Sequence, residues 1–235
     1  MTGNLWRRGV PRGLMRLLAS LGAVVLLAAA FSGCATRITY RYDEATLPLK
    51  AVAGTAVSLA VLDRRTYVVN KQKPANFVGV SRSSFDDYVD STEEAAKKIF
   101  DVTTASGKPL ADDFAKTIAT ALSAKGVRVT AISLPPEIDE AGAVRRLSDA
   151  PGHSLLLVLN EWRSETQTNT YLICDLHAII IGHGGAILAR KRLLCADDLG
   201  GNPRNPIAYG REVVPIAYSK KLRELFAAPE IAGQL

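Results

Sequence analysis

Apolar residues recur along this chain with distinct spacings, and each spacing predicts an element. Leu110, Phe114, Ile118 and Leu122 stand four apart, the stripe of an amphipathic helix that Pro109 opens in its first turn and Gly126 closes. Ala56 to Leu62 is a short β-rich run ending at Asp63-Arg64-Arg65, which predicts a buried strand emptying into a loop. Val127 to Ser133 alternates as a second strand. Leu155 to Leu159 is apolar at every position, as in a central strand covered on both faces. Its continuation, Asn160 to Glu165, alternates into solvent, with Trp162 at the rim of the core. Tyr171 to Ile181 and Ala186 to Leu194 flank Gly182-His183-Gly184-Gly185, a hairpin signal.

The hairpin fixes a register. If Gly184-Gly185 is a two-residue loop, counting outward from His183 and Ala186 sets Cys174 opposite Cys195, and the buried face carries Leu172, Leu176, Ile180, Ile187 and Leu193. These cysteines are candidates for a disulfide in an oxidising compartment, the alternative being two buried free thiols.

The remaining segments follow from punctuation. Ser91-Thr92-Glu93-Glu94 is a capping box that predicts a helix to about Phe100. Glu137 to Ala150, after Pro135-Pro136, reads as a second helix. Val213 to Ala228 reads as a last one, with Ile216, Leu222, Leu225 and Phe226 facing the sheet. Arg64 to Asp90 and Asp197 to Gly210 read as loops. Together these elements predict an α/β (α+β) fold, a single domain with a mixed, mostly antiparallel sheet and helices packed on one face. It occupies residues 55–235.

Residues 1–33 have a different character. Arg7, Arg8, Arg12 and Arg16 precede an uncharged run from Leu17 to Ala30, which ends at Phe31-Ser32-Gly33-Cys34. A basic segment, an apolar segment and small residues before a cysteine are the parts of a lipoprotein export signal. The apolar run is shorter than the roughly 20 residues a spanning helix needs. Cys34 is therefore the candidate lipidation residue, and Met15 offers a second start for the same signal. Residues 34–54 read as the lipidated cysteine and a tether, or alternatively as a short edge strand at Ile38 to Tyr42. Ala35 stands where an aspartate favours inner-membrane retention, so the expected destination is the outer membrane, facing the periplasm.

Processing alters the charge. The chain has 29 basic and 23 acidic residues, a net +6; without the four leader arginines the balance falls to +2. No basic stripe interleaved with aromatics remains, and nucleic-acid binding is not expected.

Catalytic signatures are incomplete. Gly152-His153-Ser154-Leu155-Leu156 lacks the second glycine of a nucleophile elbow, and its serine precedes a strand instead of following one. Cys174 and His177 are three apart on a strand and point to opposite faces, which disfavours a metal site. Gly182-x-Gly184 lacks the third glycine of a dinucleotide fingerprint. No metal or other cofactor is expected, and the protein reads as non-enzymatic, a hydrolase with an unreadable site being the rival. The candidate partner-binding residues are the cations and aromatics of the long loop: Arg64, Arg65, Tyr67, Lys71, Lys73, Phe77 and Arg82.

The order of these elements, the Glu161-Trp162-Arg163-Ser164 segment and the ending Leu225-Phe226-Ala227-Ala228-Pro229-Glu230-Ile231 resemble those of uncharacterised bacterial lipoproteins. The arrangement is also similar to that of the auxiliary lipoproteins of ABC-type transport systems. This resemblance implies a lipid-anchored accessory of envelope assembly or transport, which meets a protein partner or a lipid-like ligand.

Overall fold

A single long strand, β6 (His153–Thr166), organises the sheet. The computed structural model describes residues 37–42, 45–48, 50, 52–82 and 99–234, and from Ile38 onward these belong to one α/β domain. Along one edge β6 pairs antiparallel with β7 (Asn169–Ile181), which pairs antiparallel with β8 (Ile187–Gly201). The other edge of β6 is shared. Residues 153–159 run parallel to β2 (Ala56–Asp63), and residues 164–166 run parallel to β3 (Phe77–Arg82). Beyond β2 lies β5 (Arg128–Ala131), in parallel; beyond β3 lie β4 (Ile99–Thr104), antiparallel, and β1 (Ile38–Tyr40), parallel to β4. The sheet is thus forked, and β2 and β3 diverge beside residues 160–163.

The fork has a local cause in β6. Its register against β7 shifts between Leu159 and Glu161, which leaves Asn160 as the extra residue of a bulge. Side chains alternate along a strand, so one extra residue exchanges the faces. Leu155, Leu157 and Leu159 enter the main core before the bulge, and Trp162 enters the same core after it. Trp162 is wholly buried, against the expectation of a rim residue on a solvated strand end. Tyr42, Phe114, Trp162 and Tyr218 meet edge to face there, with ring centroids 4.8–6.1 Å apart, a geometry favoured by the ring quadrupoles.

Two helices close this face. In α2 (Leu110–Ser123) the predicted stripe of Leu110, Phe114, Ile118 and Leu122 is fully buried. In α4 (Pro206–Ala227) Leu222, Leu225 and Phe226 are buried, whereas Ile216 is 63% exposed and faces away from the sheet. A smaller cluster on the opposite face packs α3 (Glu140–Ser148) through Ala143 and Leu147 onto Ala60, Leu62, Leu156, Val158, Ile179 and Ile181. Leu155 to Leu159 is therefore covered on both faces, as a run apolar at every position requires.

Several boundaries differ from the sequence expectation. The long loop from Arg64 contains the single helical turn α1 (Thr66–Val69) and then β3. Ile99 and Phe100 belong to β4 and not to a helix end; the capping box at Ser91 to Glu94 lies outside the described residues. Asp197–Gly201 extends β8 instead of opening a loop. The last helix starts seven residues early because Asn205 caps it, accepting from Ala208 N–H at 3.1 Å, with Pro206 in the first turn. Of the two readings of residues 34–54, the edge strand is found, with Tyr40, Tyr42 and Leu47 buried. A last helical turn, α5 (Pro229–Ala232), follows α4.

The hairpin register is the predicted one, reached by another route. Gly182 N–H donates to Ala186 O around a turn at His183–Gly185, and a one-residue shift between Ile181 and Ile180 restores the alignment that puts Cys174 opposite Cys195. Leu172, Leu176, Ile180 and Leu193 are buried as expected, but Ile187 lies beyond the shift and is exposed.

Candidate functional site

The residues singled out for partner binding fill the mouth of the fork, and most are engaged inside the protein. The chain leaves β2 at Asp63 and crosses the gap, with Arg64 N–H donating to Leu159 O at 2.8 Å. Arg65 then turns inward and is wholly buried. Its Nε and Nη2 donate to the two Asp63 carboxylate oxygens at 2.9 and 2.6 Å, and its Nη atoms donate to the Phe77 and Ala75 carbonyls at 2.5 and 2.9 Å. The guanidinium lies 5.6 Å from the centroid of the Tyr67 ring. A planar fork of five donors suits this task, since it satisfies a carboxylate and two carbonyls at once.

Tyr67 closes the opposite wall. Its hydroxyl donates to Glu161 Oε1 at 2.7 Å, with the Trp162 carbonyl 3.0 Å away. Burial raises the phenol above its ordinary pKa, and the neighbouring Arg65 charge only partly offsets this. Phe77 is buried with its ring edge-on to Tyr67 at 5.3 Å. Lys73 pairs with Asp101 at 2.6 Å beside the Phe77 ring. Arg64 reaches the Ile138 carbonyl at 3.4 Å. This cluster staples β2, β3 and β6 together where their ladders separate. Arg65, Tyr67 and Phe77 are thus structural in geometry, while Lys71, Lys73 and Arg82 remain at the surface. Cys34 lies outside the described residues.

Two clefts stand out among the described residues. One, of about 390 Å³, is lined by Val80, Arg82, Glu165, Tyr171 and the hairpin Thr166–Asn169. It contains Arg82, and Tyr171 is 46% exposed at its wall, so a cation and an aromatic face solvent together. The other, of about 640 Å³, lies between the β2–β5 edge and the end of α3, with Ser58, Thr130, Arg145, Arg146 and Asp149 in its walls. Sequence reading missed this second cleft because Arg145 and Arg146 look like the basic last turn of any helix.

No family model matches the chain, and no curated protein matches it. Solved structures similar to it include a Xanthomonas campestris protein described under the family model DUF330, at 14% identity, covering 83% of this chain and 96% of that one with a TM-score of 0.48. An uncharacterized protein is similar at 12% identity, covering 80% and 98%, with a TM-score of 0.39. A Helicobacter pylori protein named as a candidate neuraminyllactose-binding hemagglutinin homologue is similar at 10% identity, covering 75% and 84%, with a TM-score of 0.31.

Among the described residues, His153, His177, Cys174 and Cys195 line neither cleft. His153 Nδ1 lies 2.9 Å from the Gln234 carbonyl. His177 Nδ1 lies 3.3 Å from Glu140 Oε2, whose other oxygen accepts from Arg190 at 3.0 Å; neither His177 nor Glu140 lines a cleft. Among the described residues no three His, Cys, Asp or Glu side chains could hold a metal ion. Cys174 and Cys195 form a disulfide with their Cα atoms 4.9 Å apart, so neither is available as a ligand or nucleophile.

Proposed function

We propose that the protein is a lipid-anchored, non-catalytic accessory of the bacterial cell envelope, held at the outer membrane through Cys34 and facing the periplasm. Its domain binds an envelope protein or a lipid-like ligand. The basic segment, the apolar run and the Ser32-Gly33-Cys34 junction carry this reading. The Cys174–Cys195 disulfide supports it, because such bonds persist in oxidising compartments. A lipid anchor raises the effective concentration of the domain for partners at the membrane, so modest contacts suffice.

The contact surface in this reading is the cleft of Arg82 and Tyr171, since Arg65, Tyr67 and Phe77 are occupied within the fork. Mass spectrometry of the mature N-terminus tests the anchor: a diacylglyceryl thioether on Cys34 is expected, and Cys34→Ala releases the chain from membranes. An unmodified thiol at Cys34 would overturn it. Photocrosslinking in cells from Tyr171 tests the surface, with capture of a defined envelope protein or lipid expected and loss of capture in Arg82→Glu. Equal capture by wild type and Arg82→Glu would remove this cleft from the reading.

A further inference from the structure

The outer edge of β8 is open. Among the described residues β8 pairs with β7 alone, and it carries three large apolar side chains that face solvent, Ile187, Leu188 and Leu194, the last 64% exposed. A long edge strand with unpaired N–H and C=O groups is a template for a further strand. Gly182 N–H points to β8, so alternation directs the even members of β7 to β8 and the odd ones to β6. On β8 the odd members then bond β7, and the even ones from Arg190 to Asp198 present their backbone groups outward.

The sequence of this edge is complementary to itself. Arg190, Lys191 and Arg192 precede Leu193-Leu194-Cys195-Ala196, and Asp197 and Asp198 follow. We infer that two copies of this chain pair antiparallel through β8 about a two-fold axis at Leu194, which joins their sheets into one. In that register Arg190 faces Asp198 of the second copy, Lys191 faces Asp197, Arg192 faces Ala196, and Leu194 faces its own equivalent. Leu194 is also the midpoint of Ile187–Gly201, so the register uses the strand symmetrically.

Neighbouring registers are worse. A two-fold at Leu193 sets Arg190 against Ala196 and Arg192 against Leu194, with no charge pair. A two-fold at Cys195 keeps only Arg192 with Asp198, and one at Arg192 sets that guanidinium against its own copy. Opposite charges across a ladder stabilise it and like charges destabilise it, so charge selects one register and thereby a closed, isologous pair. These side chains already have partners within the chain, Arg190 with Glu140, Lys191 with Glu230, Arg192 with Asp175, Asp197 with Lys221 and Asp198 with Asn169, so each contact between copies extends an existing one. The Cys174–Cys195 bond fixes the edge beside the axis. Tyr209 donates to the Leu199 carbonyl at 2.8 Å and marks where the free run ends.

The inference does not depend on lipid anchoring. Its test uses the full chain with Ala196→benzoylphenylalanine, co-expressed with an epitope-tagged copy and illuminated in cells. The expected adduct joins the two copies and maps to residues 190–194 of the tagged one. Leu194→Glu, at an exposed site, lowers the adduct about tenfold by placing two carboxylates on the axis. Arg190→Asp and Asp198→Arg each lower it similarly, and their combination restores it to within about twofold. No adduct with the tagged copy, capture of only a different protein, or an adduct indifferent to Leu194→Glu would overturn the pairing.

Discussion

Arg65 and Asp63 form a two-point ion pair, two residues apart in sequence, with the arginine fully enclosed and the aspartate side chain 13% exposed. Removing one member of a buried pair leaves the other charge unpaired, at a cost of about 3–5 kcal/mol. Asp63→Asn and Arg65→Ala are therefore expected to lower the unfolding free energy by amounts in that range in chemical denaturation. Arg65→Lys recovers little, because an ammonium cannot span the carboxylate and the Phe77 and Ala75 carbonyls together. Unchanged stability in Arg65→Ala would return this residue to the partner-binding set.

The extra residue in β6 gives a sharper test. Asn160→Ala keeps the residue count and removes a side-chain hydrogen bond to Asp175, at an expected cost of about 1 kcal/mol. Deleting Asn160 removes the extra residue and leaves Leu159 opposite Leu176, Glu161 opposite Asp175 and Trp162 opposite Cys174 on a regular ladder, so Trp162 keeps its place against Phe114 and Tyr218. Near-ultraviolet ellipticity and cooperative unfolding are therefore expected to survive in both variants. Their loss in the deletion alone would show that Asn160 is not the extra residue.

The fold was legible where one face of one element carried the signal. The stripe from Leu110 to Leu122, the run from Leu155 to Leu159 and the opposition of Cys174 to Cys195 were all readable from spacing. Trp162 was not, because a bulge reverses alternation without a sequence mark of its own. Arg65 was misread for a related reason: a cation next to a loop resembles a surface residue until the carboxylate and carbonyls that surround it are placed. Asp63, its partner, stood in the same Asp-Arg-Arg triplet and was the available clue. The fork itself joins segments nearly a hundred residues apart in sequence, beyond the reach of local pattern.

The close approach of β3 to β6 depends on Gly79. Its φ is +157°, and a Cβ there would collide with the backbone and hydroxyl of Ser164. Gly79→Ala is expected to destabilise the domain by about 3 kcal/mol, the upper end for overpacking, whereas Gly107→Ala, in open space, costs only the strain of its positive φ. Thermal unfolding of the two variants compares these effects directly, and equal melting temperatures would count against the contact.

The disulfide closes a short loop across the hairpin, its ends 21 positions apart in sequence. A loop of that length corresponds to about 3 kcal/mol of denatured-state entropy. The paired variant Cys174→Ala/Cys195→Ala is expected to lose about that much, and thiol labelling of denatured, unreduced protein leaves both cysteines unmodified. Labelling at either site would show that the bond is absent.

Alkaline pH probes the buried tyrosines as a group. Burial raises the phenols of Tyr40, Tyr42 and Tyr67 above the ordinary value of 10.0, outweighing the hydrogen bond of Tyr40 to Thr166 and the charge of Arg65 near Tyr67. A raised pKa in the folded state means that the unfolded chain releases its protons first. The stabilisation is therefore complete below about pH 10 and is lost as pH rises further. The phenols of Tyr40, Tyr42 and Tyr67 are expected to ionise only together with unfolding. Tyrosinate absorbance followed alongside far-ultraviolet ellipticity tests whether the two changes coincide. Tyr67→Phe, which removes one of these ionisable groups but keeps the ring against Phe77, shifts the transition to higher pH. Ionisation of these phenols with the ellipticity unchanged would contradict their burial.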